Sequence, residues 1–327
     1  MSYLYRRVTF YIVALWASLT LNFALPRLMP GHPFDFLVGK YRDQIRQNPH
    51  FLDSLKIELG ASNQPMPVQY VHYLGNLLHG DFGISTSQYP TPVADILGAT
   101  LPWTLFLATV STVLAFVVGT LLGVIVAWRR GGVLDTVLPP ITTFTSAFPS
   151  FFAALLLLYV LGFSLGWFPL QHAYSGHTNI GMNLPFLEDA AQHALLPVIV
   201  IMITSMGGWL IGMRNVMVNT LAEEYITMAE ARGLSDTRVM LTYAARNALL
   251  PNLTGFAIAL GYVVGGVTLV EYVFSYPGVG YTLINAAQAN DYPLVQALLL
   301  LITVCVLAAN LIVDLLYTRL DPRTAAG

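Results

Sequence analysis

Charged residues are scarce in this sequence. Only 10% of its 327 residues are Asp, Glu, Lys or Arg, whereas 56% are hydrophobic. A soluble domain carries about 25% charged residues, so the composition excludes an ordinary soluble protein and indicates a chain that lies in a bilayer. The formal net charge is −2, whereas nucleic-acid-binding proteins typically carry an excess of positive charge. We therefore expect no nucleic-acid partner.

Cysteine is nearly absent as well. The single one, Cys305, lies in an apolar run, so no disulfide can form within the chain. The sequence has no Gly-x-x-x-x-Gly-Lys-Ser/Thr phosphate loop, and we find no paired carboxylates for acid–base catalysis. No two of the seven histidines have the helical spacing of metal ligands. We therefore predict no catalytic site, no metal site and no cofactor in this chain.

Long apolar runs are abundant. Six of them approach the roughly 20 residues that a membrane-spanning helix needs: 8–29, 101–128, 137–163, 193–213, 253–270 and 294–313. The first starts like a signal peptide, but it is too long and lacks a small-residue cleavage site, so we interpret it as a retained helix. The last four contain no Asp, Glu, Lys or Arg, which disfavours an ion-coupled carrier with acids inside the membrane.

The basic residues predict the orientation of these spans. If the N-terminus is cytoplasmic, the inner segments hold ten arginines (6, 7, 129, 130, 214, 232, 238, 246, 319 and 323), whereas the short outer loops 164–192 and 271–293 hold no Lys or Arg. The other five basic residues lie at the end of the first span or in loop 30–100, which is long enough to escape the rule. Both termini and the loop 214–252 are then cytoplasmic.

That inner loop contains a polar stretch much longer than a turn needs. Residues 216–232 have no Gly or Pro and favour a helix, in which Tyr225, Met228, Ala229 and Arg232 share a face. Gly233 suits a left-handed C-cap, Ser235 could cap a second helix, and Pro251 is placed to start the next segment. The stretch predicts a short helix, a sharp break and another helix at the membrane surface. A generic connector between membrane helices is the alternative.

Two patterns in this stretch carry a family resemblance: Tyr225-x-x-x-Ala229-x-Ala231-x-Gly233-Leu234, and Arg246-Asn247-Ala248-Leu249-Leu250-Pro251. They resemble the cytoplasmic loop of ABC-type import permeases in the dipeptide/oligopeptide permease family, first-permease (B-type) subunit. Blocks elsewhere agree, namely residues 78–85, residues 101–105 and the Glu-x-Val-Phe-x-x-Pro-Gly-x-Gly pattern of 271–280. The departures are Thr227-Met228-Ala229 in place of Glu-Ala-Ala, His32 in place of Asp, and a longer loop 34–60.

The resemblance implies an all-α polytopic membrane protein with six transmembrane helices and the ABC type I importer permease fold. Its parts would be helix 1 (1–29), an extracytoplasmic loop or subdomain (30–100), and a five-helix core (101–327) with the coupling loop 214–252. It would lie in a prokaryotic cell membrane and form half of a translocation pathway for short peptides. Oligosaccharides and, more remotely, nickel chelates are the alternative solutes. A stand-alone secondary transporter is the alternative of another class.

The resemblance also implies partners and functional residues. The partners are the lipid bilayer, a second homologous permease in a heterodimer, an extracytoplasmic solute-binding protein and two ABC ATPases, which would bind the ATP and Mg. The residues implied in ATPase coupling are Glu224, Tyr225, Met228, Ala229, Glu230, Ala231, Arg232 and Gly233. For the translocation path we name Ser146, Phe148 and Tyr262, as polar or aromatic residues in apolar helices, and Glu271.

Two of these path assignments have structural alternatives. Thr142, Thr143, Thr145 and Ser146 precede Pro149, which should kink its helix. Hydroxyls beside a kink either line a water-filled path or bond back to carbonyls of their own helix. Glu271 either lines the outer gate or caps the irregular Pro-Gly segment that follows it.

Overall fold

The computed structural model describes residues 2–28, 38–39, 41–47, 65–176, 180–261 and 263–320. These residues are almost all helical, which confirms the all-α prediction, and their β pairing is one isolated bridge between Ile84 and Pro92. The helices up to the middle of the chain are α1 (Ser2–Leu28), α2 (Arg42–Gln47), α3 (Met66–Leu78), α4 (Val93–Trp128), α5 (Val133–Ala147) and α6 (Ser150–Leu157), which continues as the π-helix π1 (Leu158–Ser164).

The second half begins with the longest helix described, α7 (Leu184–Leu221). The helices that follow it are α8 (Glu224–Ala231), α9 (Asp236–Arg238), the π-helix π2 (Val239–Ala245), α10 (Arg246–Gly261), α11 (Val263–Gly266), α12 (Thr268–Val273), α13 (Val279–Gln288) and α14 (Tyr292–Leu320).

Four of the predicted spans correspond to single long apolar helices. They are Val8–Leu25 within α1, α4, α7, and Tyr292–Ile312 within α14. The predicted span 137–163 is broken at Phe148-Pro149, where the chain bends by 98° between α5 and the segment Ser150–Ser164, so the kink predicted at Pro149 is confirmed. Counted as one span, this bent pair raises the number to five.

The remaining predicted span, 253–270, does not appear as one continuous helix. Its residues fall on α10, α11 and α12, and Val267 separates the last two of these. Glycines at 261, 265 and 266 lower helix stability there, which gives a physical reason for the interruption. A count of six continuous spans is therefore not confirmed.

The chain divides into two compact units, residues 1–104 with 277–327 and residues 105–276. In the first unit α1 packs along α14, and the start of α4 packs against α13 and α14 in a core of Val93, Ile96, Leu97, Val279, Ala286, Leu294 and Leu298. The predicted division at residues 30 and 100 stays a prediction.

A buried carboxylate anchors the turn before α4 in this unit. Asp291 is fully buried, and its Oδ2 accepts hydrogen bonds from the Ser85 hydroxyl, from the Ser87 hydroxyl at 2.7 Å and from the Ser87 N–H at 2.9 Å. Its Oδ1 accepts from the Leu294 N–H at 3.2 Å. One side chain therefore caps the first turn of α14 and holds residues 85–87 against it.

In the second unit, small residues let α4 and α5 approach α7 closely. A Cβ on Gly119 would lie 2.6 Å from the Met206 carbonyl oxygen, and one on Gly123 would lie 2.6 Å from that of Leu210. The Gly119-x-x-x-Gly123 pattern of α4 thus permits close helix packing. On the other side of α7, a Cβ on Gly207 would lie 2.5 Å from the Thr142 carbonyl oxygen of α5.

Candidate functional site

The polar stretch is mounted on the end of α7. This helix has 38 residues and is about 57 Å long at 1.5 Å per residue, whereas the hydrocarbon core of a bilayer is about 30 Å thick. Its last turns therefore reach beyond the hydrocarbon. After Leu221 the backbone turns, and the extended residue Glu223 (φ −77°, ψ 144°) begins the eight-residue helix α8.

The end of α8 is the break that the sequence predicts at Gly233. Gly233 has φ +71°, its N–H donates to the Glu230 carbonyl at 2.8 Å, and the Leu234 N–H donates to the Ala229 carbonyl at 3.4 Å. This pair of bonds is a Schellman motif, in which a glycine takes the left-handed position. No heavy atom lies within 4 Å of a Cβ built on Gly233, so a side chain would fit there. The glycine is required by the positive φ of the backbone.

The second helix differs from the prediction in two details. It begins at Asp236 as expected, but the Ser235 side chain makes no capping hydrogen bond. Pro251 lies inside α10 and does not start it. The helical backbone instead runs from α9 through π2 into α10, so the second helix contains a stretch of wider π turn that the sequence did not predict.

One face of α8 is buried within the chain itself. Ile226 and Ala229 are 2% and 4% exposed, and they belong to a cluster that joins the ends of four helices and π2; the other members are Val124, Ala127, Met213, Met217, Val239, Ala244 and Ala248. Because an apolar face packed in this way resists displacement, α8 is held rigidly against the end of α7.

The burial of Ala229 corrects one expectation. Helical spacing places it on one face with Tyr225, Met228 and Arg232, and the family resemblance implies a coupling role for all four. In the structure Tyr225 and Met228 are 39% and 59% exposed and Arg232 is exposed too, whereas Ala229 points into its own chain. The small side chain at 229 serves close packing of α8 on the cluster, because the buried positions follow the i, i+3 spacing of Ile226 and Ala229.

The exposed face of α8 carries the other predicted coupling residues. Glu224, Glu230, Ala231 and Gly233 are exposed alongside Tyr225, Met228 and Arg232. Carboxylates lie in the first turn and near the end of α8. The cationic Arg232 follows the last residue of α8, where a positive charge interacts favourably with the negative end of the helix dipole.

The structure shows two polar contacts near this segment that the sequence analysis did not predict. The Asn247 side-chain N–H donates to the Tyr225 hydroxyl and to the Tyr243 carbonyl, both at 3.0 Å, so it ties the exposed face of α8 to the second helix. Asn247 belongs to the Arg246–Pro251 pattern, and this pattern is the sequence signal that could have identified it as a functional residue.

The second is an ion pair at the same end of α7. The Arg214 Nε lies 2.6 Å from Asp135 Oδ1 of α5, and the Gly131 N–H donates to Asp135 Oδ2 at 2.9 Å. One carboxylate therefore links the turn before α5 to α7. Sequence spacing could not reveal this pair, because its members are 79 positions apart.

The structure describes three of the four predicted path residues, namely Ser146, Phe148 and Glu271. Ser146 lies against α7, where its Oγ would be 2.5 Å from a Cβ on Gly207. Phe148 is 46% exposed at the break and stacks edge-on with Phe144, with a ring-centroid distance of 4.9 Å. Tyr262 lies outside the described residues. Their role in a path stays a prediction.

Three of the hydroxyls beside the kink donate hydrogen bonds to carbonyls of their own helix, which is the second of the two interpretations given above. Thr142 donates to the Leu138 carbonyl at 2.9 Å, Thr143 to the Pro139 carbonyl at 2.7 Å, and Thr145 to the Thr142 carbonyl at 3.1 Å. These bonds lie within α5 itself, so all three hydroxyls donate to carbonyls of their own helix. The Thr145 hydroxyl also lies 3.4 Å from the Ile203 carbonyl of α7.

Glu271 is fully buried in α12. Its backbone carbonyl accepts a hydrogen bond from the Tyr276 N–H at 2.8 Å, which closes the turn leading to Pro277. Burial, and then the charge of Glu271, raise the pKa of Tyr276. The bond is made by the backbone of Glu271, so both roles of its carboxylate, at an outer gate or as a cap of the Pro-Gly segment, stay predictions.

Comparison with known proteins agrees with this architecture. Residues 119–326 match the family described as "Binding-protein-dependent transport system inner membrane component". The chain belongs to this family. It is therefore a multi-pass membrane component of a binding-protein-dependent transport system, and the predicted membership of the ABC permeases is confirmed.

Individual relatives of this transport-system component cover nearly the whole chain. The oligopeptide transport system permease protein AppB of Bacillus subtilis is 34% identical, with 98% of each chain covered. The di/tripeptide transport system permease protein DppB of Pseudomonas aeruginosa is 33% identical, over 99% of this chain and 98% of its own. The glutathione transport system permease protein GsiC of Escherichia coli K12 is 31% identical, with 98% of each covered.

Proposed function

We propose that this permease subunit forms half of an ATP-driven import pathway for short peptides. Its relatives are named for the transport of oligopeptides, di- and tripeptides and glutathione, and they match it from end to end. A second homologous permease completes the pathway as a heterodimer, and an extracytoplasmic binding protein delivers the solute. Two partner ATPases bind the ATP and Mg, since this sequence has no phosphate loop of its own.

The observation that carries the proposal is the mounting of α8. One side of this helix is packed into the cluster around Met213 and Met217, and the other side is open. A short helix of this kind can transmit the motion of a partner subunit to the membrane helices only if it moves together with the helices on which it packs. The buried face at Ile226 and Ala229, together with the Schellman end at Gly233, provides that rigidity.

The partner surface on α8 is its exposed face. Tyr225 and Met228 provide apolar contact area, Glu224, Glu230 and Arg232 provide charges, and Ala231 allows close approach. Ala229 supports this face from behind, and Asn247 orients the Tyr225 hydroxyl through their hydrogen bond. This arrangement supports our proposal that the ATPase docks on α8, and Ala229 and Gly233 would then shape this helix without contacting the partner.

The same proposal includes the orientation of the chain. The arginines at 129, 130, 214, 232, 238 and 246 lie at the helix ends and connections next to α8, and an excess of Lys and Arg marks the cytoplasmic side. Both termini and α8 are then cytoplasmic, which is where ATP is available to the partner subunits.

The translocation path is proposed at the bent helix. Phe148 projects from the break between α5 and α6 with nearly half of its surface exposed, and we assign it to the path with the neighbouring Ser146. Tyr262 and Glu271 are assigned to the path by the sequence prediction alone.

The test compares a substitution on the exposed face of α8 with one on its buried face. Ala231→Trp should leave the permease folded and assembled with its partner permease, but reduce ATPase stimulation by the solute-loaded binding protein and weaken retention of the ATPases in a pull-down. Thr237→Trp is the matched control, because Thr237 is also exposed but lies outside α8.

Ala229→Trp gives a different result for a physical reason. A large side chain at this 4% exposed site overpacks the cluster, which costs about 1–3 kcal/mol or more, so the permease itself should lose stability. Wild-type stimulation and ATPase retention by Ala231→Trp would show that α8 is not the docking element.

The solute is tested on the partner. Calorimetric titration of the extracytoplasmic binding protein with di-, tri- and pentapeptides and with oligosaccharides should give heat only with peptides. Binding of oligosaccharides alone would leave the importer assignment intact and overturn the peptide assignment.

A further inference from the structure

The helix α5 is placed by its contacts with α7. The two helices pack along each other in the second unit. The other side of α5 and the residue that follows it present a stripe of exposed apolar side chains at spacings of three and four residues, which mark one face of a helix: Val133, Val137, Ile141, Phe144 and Phe148. A movement of α7 therefore reaches α5 through the contacts that join these two helices.

Two contacts of different kinds join α5 to α7. Thr142 and Ser146 lie so close to Gly207 that a Cβ there would meet both of them at 2.5 Å. Near the start of α5, the Arg214 Nε of α7 lies 2.6 Å from Asp135 Oδ1. From Asp135 to Ser146 the helix rises by about 17 Å, so the two contacts hold most of this 15-residue helix against α7.

The turns of α7 that hold Asp135 also hold α8. Met213 and Met217 belong to the buried cluster that covers Ile226 and Ala229 of α8, and Arg214 directly follows Met213. Successive residues of an α-helix point about 100° apart, so one short segment of α7 contacts α8 on one side and α5 on another. A displacement of α8 is thus passed to Asp135 within a single turn of α7.

The Asp135 carboxylate is oriented from two sides. Its Oδ1 accepts from Arg214, and its Oδ2 accepts from the Gly131 N–H at 2.9 Å. Arg130 also attracts this carboxylate, but it lies in the connection between α4 and α5 and does not join α5 to α7. The side chains of Asp135 and Arg214 are 10% and 26% exposed. Ion pairs that keep access to water add little to stability, whereas a charge-assisted hydrogen bond fixes the relative position of its two groups.

We propose that Asp135 and Arg214 are positioning residues that transmit the movement of α8 to the chain break at Phe148-Pro149. They hold the first turn of α5 to α7, so that α7 and α5 move as one body and displace Phe148 at the far end of α5. This inference rests on the proposed docking of the ATPase at α8, and it adds that the ion pair is needed for coupling and not for assembly.

The first measurement follows α5 and α7 without any solute. In a Cys305→Ala background, spin labels at Val133→Cys and Ser205→Cys, which are exposed sites on the two helices, report their separation in the assembled transporter. The distance distribution of the wild type should be narrow and the same without nucleotide and with ADP and vanadate. Asp135→Asn keeps an acceptor for the Gly131 N–H but loses the charge, and it should raise the population at other distances about threefold to tenfold.

The second measurement is the uptake of a radiolabelled tripeptide per ATP hydrolysed, in proteoliposomes that hold the complete importer. Asp135→Arg places a like charge against Arg214, so the variant should retain its ATPases and their hydrolysis but lose peptide uptake. Adding Arg214→Asp restores opposite charges and should recover part of the uptake. Glu188→Gln is the matched control, because Glu188 is an exposed acid at the other end of α7, and it should change neither quantity.

A merely structural role of the pair would lower the amount of assembled importer and leave the uptake per ATP of Asp135→Arg unchanged, which would overturn the inference. A wild-type distance that changes with nucleotide, or an Asp135→Asn distribution like that of the wild type, would overturn it as well. Failure of the proposed function looks different: Ala231→Trp would then keep wild-type ATPase retention. If the wild type takes up no tripeptide, the peptide assignment fails, and the spin-label distances still decide the role of the pair.

Discussion

Two adjacent glycines of α7 provide a sharp test of helix packing in the second unit. A Cβ on Gly207 would lie 2.5 Å from both the Thr142 carbonyl oxygen and the Ser146 Oγ of α5, whereas a Cβ on Gly208 would have no heavy atom within 4 Å. Replacing each glycine in turn by Ala therefore places the same methyl group once into a helix–helix contact and once into open space.

The expected magnitudes follow from these distances. Ala is better than Gly in a helix by about 1 kcal/mol, and this gain is common to both variants, so it cancels in their comparison. The contact at Gly207 involves a backbone carbonyl that cannot rotate away, so α5 and α7 must separate. Overpacking of this kind typically costs about 1–3 kcal/mol. Gly208→Ala should thus be more stable than Gly207→Ala by about that amount.

The assay is thermal unfolding of the purified chain in detergent at a single scan rate. One kcal/mol shifts the Tm of a domain of 150–250 residues by about 2–4 °C, so the two variants should differ by about 2–12 °C. Ser146→Ala combined with Gly207→Ala should recover only part of the loss, because the Thr142 carbonyl remains in place. Indistinguishable Tm values for Gly207→Ala and Gly208→Ala would refute the close approach of α5 and α7.

Two further predictions concern the buried carboxylate and the orientation of the chain. Asp291→Ala should leave the Ser85 and Ser87 donors unpaired at a cost of about 1–3 kcal/mol, which limited proteolysis would detect as faster cleavage at residues 85–92; Asp95→Ala, on the exposed side of α4, is the control and should not change the cleavage rate. For orientation, in a Cys305→Ala background, an impermeant maleimide should label Met182→Cys in intact cells and Asn219→Cys only after the membrane is opened. Labelling in the reverse order would contradict the assigned topology.

The breaks at Gly233 and Pro149 could be predicted well from sequence. Gly233 ends α8 with a positive φ, because glycine alone takes the left-handed conformation without steric cost. Pro149 breaks its helix, because proline has no N–H to donate and its ring clashes with the preceding turn. Both effects depend on a few neighbouring residues.

Which side of α8 is buried could not be predicted in the same way. Tyr225, Met228, Ala229 and Arg232 do share a helical face by spacing, but Ala229 is buried and Met228 is mostly exposed. The outcome depends on Met213, Met217 and Ala248, which approach α8 only after α7 and α10 have packed. A helical period identifies neighbours on one helix, but it does not identify the element that covers them.

The sequence by itself therefore determined the membrane class, the long apolar helices, the break at Gly233 and, through its motifs, the family. These follow from composition and from interactions over a few residues, which the chain carries in any environment. The tertiary structure alone decided the inward position of Ala229, the Asp135–Arg214 ion pair, and the anchoring of Ser85 and Ser87 by Asp291. Each joins groups that are distant along the chain, and only the packing of whole helices brings such groups within contact distance.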